Sequence, residues 1–321
     1  MISNNPRLSI GLPVFNGEKY LRQAIDSILA QTYQNFELII SDNASTDGTE
    51  KICREYLKKD SRIKYYRNRS NLGATLNWNN VFKLSTGVYF KWVAHDDMME
   101  PEFLSKCINV LEQDPSIILC HSKNAIINEH DKLVGRYDLG TIVDSQKPHD
   151  RLSQLLLKKG VPWLIFGVFR RDALSKSPLF KGYIGSDWNL LTEISLIGRI
   201  YEIPELLFLR RDHDQSYTDS HYSKPGIVHD YRTESLWWTG NRRPLLVFPH
   251  FRNCLEFFKS VNHVAMSFSE RRLCYSEILR WILGRGRRLM KWDLDNELAL
   301  WRIRMYYGKR KNKVFLLRSH S

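Results

Sequence analysis

The sequence predicts an α/β protein: a mainly parallel sheet flanked by helices on both faces, with a C-terminal helical appendage. Three observations carry that expectation. Up to Cys120, short apolar runs of strand length alternate with segments whose apolar residues recur at helical spacing. The aromatic run from Tyr89 stops abruptly on two adjacent carboxylates, Asp96 and Asp97, as ligand-edge residues of open parallel sheets do. Beyond Asp212 the composition turns to Trp, Arg and Leu without strand-like alternation.

Taken in order, Leu8 to Val14 reads as the first strand, followed by Leu21, Ala24, Ile25, Ile28 and Leu29 at helical spacing. Phe36 to Ser41 is a second strand, and a helix carries Ile52, Cys53, Tyr56 and Leu57. Arg62 to Tyr66 is a third strand, with a helix after Asn71-Leu-Gly73, and the Tyr89 run is a fourth. Pro101 suits a first helical turn, and Phe103, Leu104, Cys107, Ile108 and Leu111 make the stripe behind it. Asp114-Pro115 ends that helix, and Ile117 to Cys120 is a fifth strand. From Asn124 to Arg211 the pattern loosens, with a helix near Arg151 to Lys158 and another after Asp187. Ile200 to Ile203 and Leu206 to Arg210 read as two terminal strands split by Pro204. In the tail, Ile278, Leu279, Ile282 and Leu283 have helical spacing, and Gly284 and Gly286 are expected to divide it into two helices.

The chain of 321 residues is 43% hydrophobic and 26% charged, enough apolar material for a sizeable core. Its formal net charge of +13 implies an anionic partner: a nucleotide, a nucleic acid or an acidic membrane surface. The five cysteines are scattered with no C-x-x-C pair; three fall in apolar stretches and read as small buried hydrophobes, and a reducing, cytoplasmic compartment is expected. The N-terminal residues show no basic region followed by an apolar run, so no signal peptide is expected. The longest apolar stretch, Val161 to Phe169, is far short of the roughly 20 residues that span a bilayer.

The chemistry-bearing residues gather at predicted strand ends. Asp96 and Asp97 are placed to hold a divalent cation of the kind a diphosphate leaving group needs, or else to cap a loop. In the turn Pro13-Val-Phe-Asn-Gly-Glu18, Phe15 either stacks on a base or packs in the core. There is no G-x-G-x-x-G and no Walker lysine, which argues against a dinucleotide dehydrogenase and a P-loop NTPase. Asp42, at the end of the second strand, can accept a hydrogen bond from a base N–H, while Ser45, Thr46 and Asp47 suit helix capping.

Residues Leu8 to Thr49, with Asn71-Leu-Gly73 and His95-Asp-Asp97, resemble the family-2 inverting glycosyltransferases of the GT-A fold. The Pro-Val-Phe-Asn-x-Glu turn, Gln31-Thr-Tyr33, the loop Ser41 to Thr49 and the strand-terminal Asp-Asp match in order and spacing. The resemblance implies a nucleotide pocket from Pro13, Phe15, Glu18, Asp42, Asn71 and Gly73, with Asp96 near the ribose and Asp97 on the metal. Two departures stand out: Ala94 replaces an Asp that many relatives carry, and Trp78 stands where an Arg is often found. The resemblance further implies a catalytic domain over 1–215, with a nucleotide-binding half 1–122 and an acceptor half 123–215, and a helical extension over 216–321.

Gly182 to Leu190 resembles the family's acceptor-side segment, which makes Asp187 the candidate general base, with Glu193 a weaker one. His213 is the candidate third metal ligand beside Asp97 and Asp96, for Mn²⁺ or Mg²⁺. Arg210 and Arg211 are expected to assist the leaving group, and His95 to be structural. The expected reaction moves a hexosyl or deoxyhexosyl group from a UDP- or dTDP-linked donor to a glycan or lipid-linked acceptor. That is the chemistry of surface polysaccharide or glycolipid synthesis. A nucleotidyltransferase would carry a Gly-rich basic loop after the first strand, which this chain lacks, and no nucleic-acid partner is expected. From Arg271 to Lys291, seven cations stand against Glu277 alone among apolar residues and Trp281, a composition suited to an anionic membrane surface or to packing on the catalytic domain.

Overall fold

Strand β1, Leu8–Val14, is buried at all seven positions. Both of its faces are covered: the large Leu8, Ile10, Leu12 and Val14 alternate with the small or compact Ser9, Gly11 and Pro13, and Gly11 leaves room for Val81 and Phe90. The structure, a computed structural model, describes residues 6–137, 143–157, 161–214, 231–240 and 247–318, and of 137, 161–162 and 303–318 only the backbone. After β1 come α1 (Leu21–Leu29), β2 (Phe36–Asp42), α2 (Thr49–Lys59), β3 (Ile63–Arg67), α3 (Ala74–Lys83) and β4 (Tyr89–Trp92). The chain continues through β5 (Met98–Met99), α4 (Phe103–Gln113), β6 (Ile117–Ile127), β7 (Leu133–Tyr137) and α5 (Pro148–Leu157). A 3₁₀ turn over Val161–Phe166 leads to β8 (Val168–Arg170), α6 (Arg171–Ser175), α7 (Ser186–Ile197) and β9 (Arg199–Arg211). The tail contributes α8 (Tyr231–Thr239), α9 (Pro249–His263), α10 (Phe268–Trp281) and α11 (Arg287–Arg318).

Among the described residues one sheet runs β3-β2-β1-β4-β8-β6-β9-β5, with β7 on the flank of β6. The pairs β1–β2, β1–β4 and β2–β3 are parallel, so their carboxyl ends share one edge. The three-residue β8 enters antiparallel between β4 and β6. The two terminal strands expected on either side of Pro204 are one strand: pairing jumps from Ser122↔Ile203 to Lys123↔Leu206. Pro204 and Glu205 form a bulge there, where a proline's missing N–H costs no ladder bond. The expected fifth strand is also longer than Ile117 to Cys120, so the expected division at 122/123 falls inside β6. The expected boundary at 215/216 lies outside the described residues.

Apolar side chains cover both faces of the sheet. On one side Leu21, Ile25 and Ile28 of α1, Ile52 of α2 and Leu104 and Ile108 of α4 pack with Leu8, Ile10 and Leu12. On the other, Val81, Phe82, Trp92, Phe169, Leu191 and Trp238 form a second cluster. A third joins the tail to α5 and α7, with Leu152, Leu156 and Leu196 against Phe257, Ile278 and Trp281. The expected break at Gly284 and Gly286 is instead a π-helical turn over Ile282–Gly286 linking α10 to α11. A Cβ on Gly286 would sit 2.6 Å from the Trp281 ring, so glycine is what lets the turn close over that tryptophan. All five cysteines are buried and unpaired.

Trp281 is fully buried, edge-on to Trp188 at 5.8 Å and to Phe257 at 5.2 Å. Trp281→Ala is expected to cost about 3–5 kcal/mol, the usual range for truncating a buried large aromatic. Urea unfolding reads this directly, and a wild-type midpoint would mean that the tail adds nothing to the core.

Candidate active site

The carboxyl ends of β1, β2 and β4 converge because the register leaves them level. Val14 lies opposite Asp42, Gly11 opposite Trp92, and the N–H of Val93 donates to the Gly11 carbonyl at 2.9 Å. The residues that follow β4 therefore run alongside Pro13 and Val14. Above this edge opens a cavity of about 1040 Å³, walled by the β1–α1 turn, the turn after β4, the start of α7, the end of β9 and the C-terminal helices. Of the residues predicted for the site, Pro13, Phe15, Asn71, Asp96, Asp97, Asp187 and His213 all line it. His95, expected to be structural, lines it as well.

The two adjacent aspartates face different partners. Asp96 Oδ2 lies 3.0 Å from His213 Nε2, joining the turn after β4 to the residue just past β9. Burial pushes the Asp96 carboxyl up, but His95 and then His213 outweigh it and hold the group below its ordinary value. Asp97 Oδ1 accepts the backbone N–H of Arg211 at 2.9 Å. Burial, then the charge of Asp96, pushes the Asp97 carboxyl well above the usual carboxylate range. Of the expected set, Asp96 and His213 meet one another while Asp97 is turned to the Arg211 N–H, and among the described residues no group of three or more His, Cys, Asp or Glu side chains converges as a metal centre. A carboxylate oxygen and an imidazole nitrogen 3.0 Å apart on a cavity wall still suit a Mn²⁺-like ion that takes its other ligands from substrate and water.

Arg211 and Arg210 are not poised over the cavity as free cations. Arg211 is buried, donating to the Asp96 carbonyl at 2.9 Å and to the Asn128 carbonyl at 2.9 Å, and pairing with Asp131. Arg210 lies over the Trp163 ring at 4.5 Å and bonds Asp212 at 3.1 Å. Both line the cavity from these anchored positions.

Asp187 stands in the first turn of α7, where Gly185 takes φ +81° to turn the chain in. Its Oδ1 accepts the N–H of Trp188 at 2.8 Å. Burial is the main force on this carboxyl and pushes it up to about 6, against the lowering effect of that hydrogen bond. Glu193, the weaker candidate, is buried away from the cavity and bonded to His263 and Ser260.

Three expected nucleotide residues do not reach the cavity wall. Asp42 is fully buried: Oδ2 accepts from Tyr65 at 2.7 Å and Arg67 at 2.6 Å, and Oδ1 from the Ser45 N–H at 2.8 Å. Glu18 accepts the N–H of Gly48 at 2.9 Å, tying the β1–α1 turn to the start of α2. Gly73 has φ +81° and ψ 164°, a conformation essentially reserved for glycine, and a Cβ there would lie 2.4 Å from the backbone nitrogen of Gly240. Each shapes the wall from behind. The residues between them were missed: Asn43 and Asn77 line the cavity and knit Ser41, Asn68 and Asn71 into one amide network. Trp78, Trp163, Trp188, Trp237 and Trp292 add aromatic side chains to the lining from positions far apart in sequence.

The sequence profile of glycosyl transferase family 2 matches residues 9–177. An uncharacterized glycosyltransferase of Rickettsia typhi is 30% identical over 237 residues, covering 73% of this chain and 71% of that relative. One of Rickettsia prowazekii is 40% identical over 109 residues, covering 34% of this chain and 33% of that protein. Among solved structures, S. aureus TarS 1–349 in complex with UDP superposes with a TM-score of 0.61 at 15% identity, over 86% of this chain and 72% of that one. The mannosyltransferase PcManGT of Pyrobaculum calidifontis, in complex with GDP-Man and Mn²⁺, gives 0.52 at 16%, over 93% and 88%. These structural likenesses carry the fold: a GT-A-like α/β sheet with C-terminal helices.

Proposed function

The chain belongs to glycosyl transferase family 2, and from that premise we propose that it is a metal-dependent, inverting transferase with Asp187 as general base. The observation that carries the proposal is a desolvated carboxylate, Asp187, facing the same cavity as the Asp96–His213 pair. In this reading a nucleotide-diphosphate sugar lies along the β1, β2 and β4 edge, with Phe15 and the amide network around Asn43 and Asn71 against the nucleotide. The TarS and PcManGT structures hold UDP and GDP-Man respectively, which supports a nucleotide-sugar donor. UDP or dTDP is the proposed carrier, and a hexose or deoxyhexose the proposed sugar.

One displacement suffices. The acceptor hydroxyl attacks the anomeric carbon from the face opposite the diphosphate, and its proton passes to Asp187. The bond from that carbon to the diphosphate oxygen breaks, and the nucleoside diphosphate leaves with the bonding pair. The configuration inverts, and no second nucleophile is needed. Asp96 and His213 would hold a Mn²⁺ or Mg²⁺ ion, which supplies positive charge against the departing diphosphate. The Mn²⁺ in PcManGT supports a divalent cofactor. Arg211 holds the Asp96–Asp97 turn in place during this step.

The proposed acceptor is a glycan or a lipid-linked glycan on the cytoplasmic face of a membrane, as in polysaccharide or glycolipid assembly. Among the described residues no helix is long and apolar enough to cross a membrane. Ile278 and Trp281 are spent in the core, whereas Phe268, Leu279 and Leu283 remain exposed near Arg272, Arg280, Arg287 and Arg288. Exposed apolar residues among cations support peripheral binding to anionic lipid.

Four outcomes test this reading. Turnover of nucleotide sugars should require the Asp187 carboxylate, so kcat/KM should rise with pH through about 6 and level off above it. Asp187→Asn should lose about 10²–10⁴-fold in transfer and that rise with pH while still binding nucleotide; an unchanged rate removes Asp187 from the chemistry. EDTA should abolish turnover and His213→Ala should raise the metal concentration that restores it, whereas full activity in EDTA rules out a metal mechanism. Co-sedimentation with vesicles should need anionic lipid and weaken at high salt, and equal, negligible binding under all conditions rules out the membrane contact.

A further inference from the structure

The first turn of α7 has two faces. Gly185, Asp187 and Trp188 line the large cavity, whereas Ser186 and Asn189 line a second, far smaller one of about 10 Å³ between α7 and α9. Lys181, Glu193, Glu256 and Ser260 share that lining. Ser186 is 1% and Asn189 5% exposed, yet Oγ of the first and Oδ1 of the second meet no hydrogen-bond partner among the described residues. The other end of the Asn189 amide is committed: Nδ2 donates to Asn253 Oδ1 at 2.9 Å and to the Tyr183 hydroxyl at 3.2 Å. Buried polar groups are seldom left unmet, because each has given up its hydrogen bonds to water. Two such groups on one cavity mark a place built for a small polar ligand.

Volume and charge decide what that ligand is. A cavity of about 10 Å³ has room for one water-sized molecule. No cation is called for, because Glu256 already meets Lys181 at 2.7 Å, Lys259 at 2.7 Å and Arg252 at 3.2 Å. Glu193 is held by His263 and Ser260. The Lys181 ammonium repels a further cation, and the two carboxylates repel an anion. A neutral molecule that both donates and accepts fits the lining. It would accept from the Ser186 hydroxyl and donate to Asn189 Oδ1 and to a carboxylate oxygen of Glu193 or Glu256.

We propose that one buried water occupies this cavity and, through Ser186 and Asn189, supports from behind the turn that carries Asp187. The inference rests on the general-base reading above. The preceding residue is held by other means: Gly185 takes φ +81°, and a Cβ there would lie 2.4 Å from Asn253 Nδ2. Helix α9 therefore presses on the backbone two residues before the base, while the water fixes the residue between them. Ser186 and Asn189 are positioning residues in this arrangement, facing away from the cavity that Asp187 lines.

A high-resolution crystal structure of the full chain tests the site. One ordered water is expected within about 2.6–3.2 Å of both Ser186 Oγ and Asn189 Oδ1. A dry cavity overturns the proposal, as does direct pairing of the two side chains, or an ion held by several oxygens at about 2.3–2.6 Å. Kinetics test the role. Ser186→Ala should lower kcat for nucleotide-sugar turnover about tenfold, the scale of a small misplacement of a catalytic group, with UDP affinity by calorimetry unchanged. Ser195→Ala is the control: that hydroxyl is fully buried in the same helix but bonded to the Thr192 carbonyl at 2.7 Å, and its loss should move neither quantity. A wild-type kcat in Ser186→Ala, or an equal loss in Ser195→Ala, removes the support role. An active Asp187→Asn enzyme removes the base itself and the role with it, whereas an inactive Asp187→Asn beside an unaffected Ser186→Ala removes the role alone.

Discussion

A buried guanidinium, that of Arg211, holds the candidate site together. Removing such a cation from water costs several kcal/mol unless its donors are nearly all satisfied. Here they meet the Asp96 carbonyl, the Asn128 carbonyl and the Asp131 carboxylate, and its flat face lies 4.6 Å from the Tyr20 ring centre. The residue's own backbone N–H is the donor to Asp97. One side chain thus fastens the turn after β4, the turn after β6, the end of β9 and the start of α1. The short pairing of Met98 with Leu209 and Met99 with Phe208 sets the register that makes this fit possible. If β9 slipped by one residue, Arg211 would point to the other face of the sheet and His213 would no longer meet Asp96.

The difference between Asp96 and Asp97 follows from the same arrangement. Both residues stand in the turn between β4 and β5 and line the cavity, but their carboxylates meet different partners. Asp96 turns to His213 and keeps its charge, while Asp97 turns to the β9 backbone, where burial and its neighbour's charge disfavour ionisation. Two acidic residues written identically in the sequence acquire separate roles from their environment.

That separation explains which parts of the molecule were legible. Apart from the two-residue β5, the elements from Leu8 to Gln113 stand where the periodicity predicts them, because each is long enough to repeat its pattern and is bounded by turn residues. The three-residue β8 gives no period to read, and its place between β4 and β6 is decided by long-range pairing. Pro204 looked like a strand break because a bulge that tolerates proline depends on the partner strand. At the site, residues at strand ends were found, but their partners were not. Nothing local to Asp42 says that Tyr65 and Arg67 on the adjacent strand will occupy both its oxygens. The aromatic wall was missed for the same reason: Trp163, Trp237, His250 and Trp292 are scattered along the chain and meet only after the tail has docked.

Docking of the tail also bears on the chemistry of Asp187. This carboxylate stands in the first turn of α7, a position that favours the charged form through the helix dipole and the Trp188 N–H. Burial nevertheless outweighs these effects and leaves the group at about 6. Much of the burial comes from beyond the catalytic sheet. Trp188 packs against Phe257 and Trp281, Asn189 bonds Asn253 at 2.9 Å, and Glu234 of α8 adds a like charge. A sheet-and-helix domain without these helices would leave Asp187 more solvated and closer to an ordinary carboxylate. Such a group would be a weaker base at neutral pH. Through the desolvation of Asp187, the C-terminal helices bear on the proposed reaction.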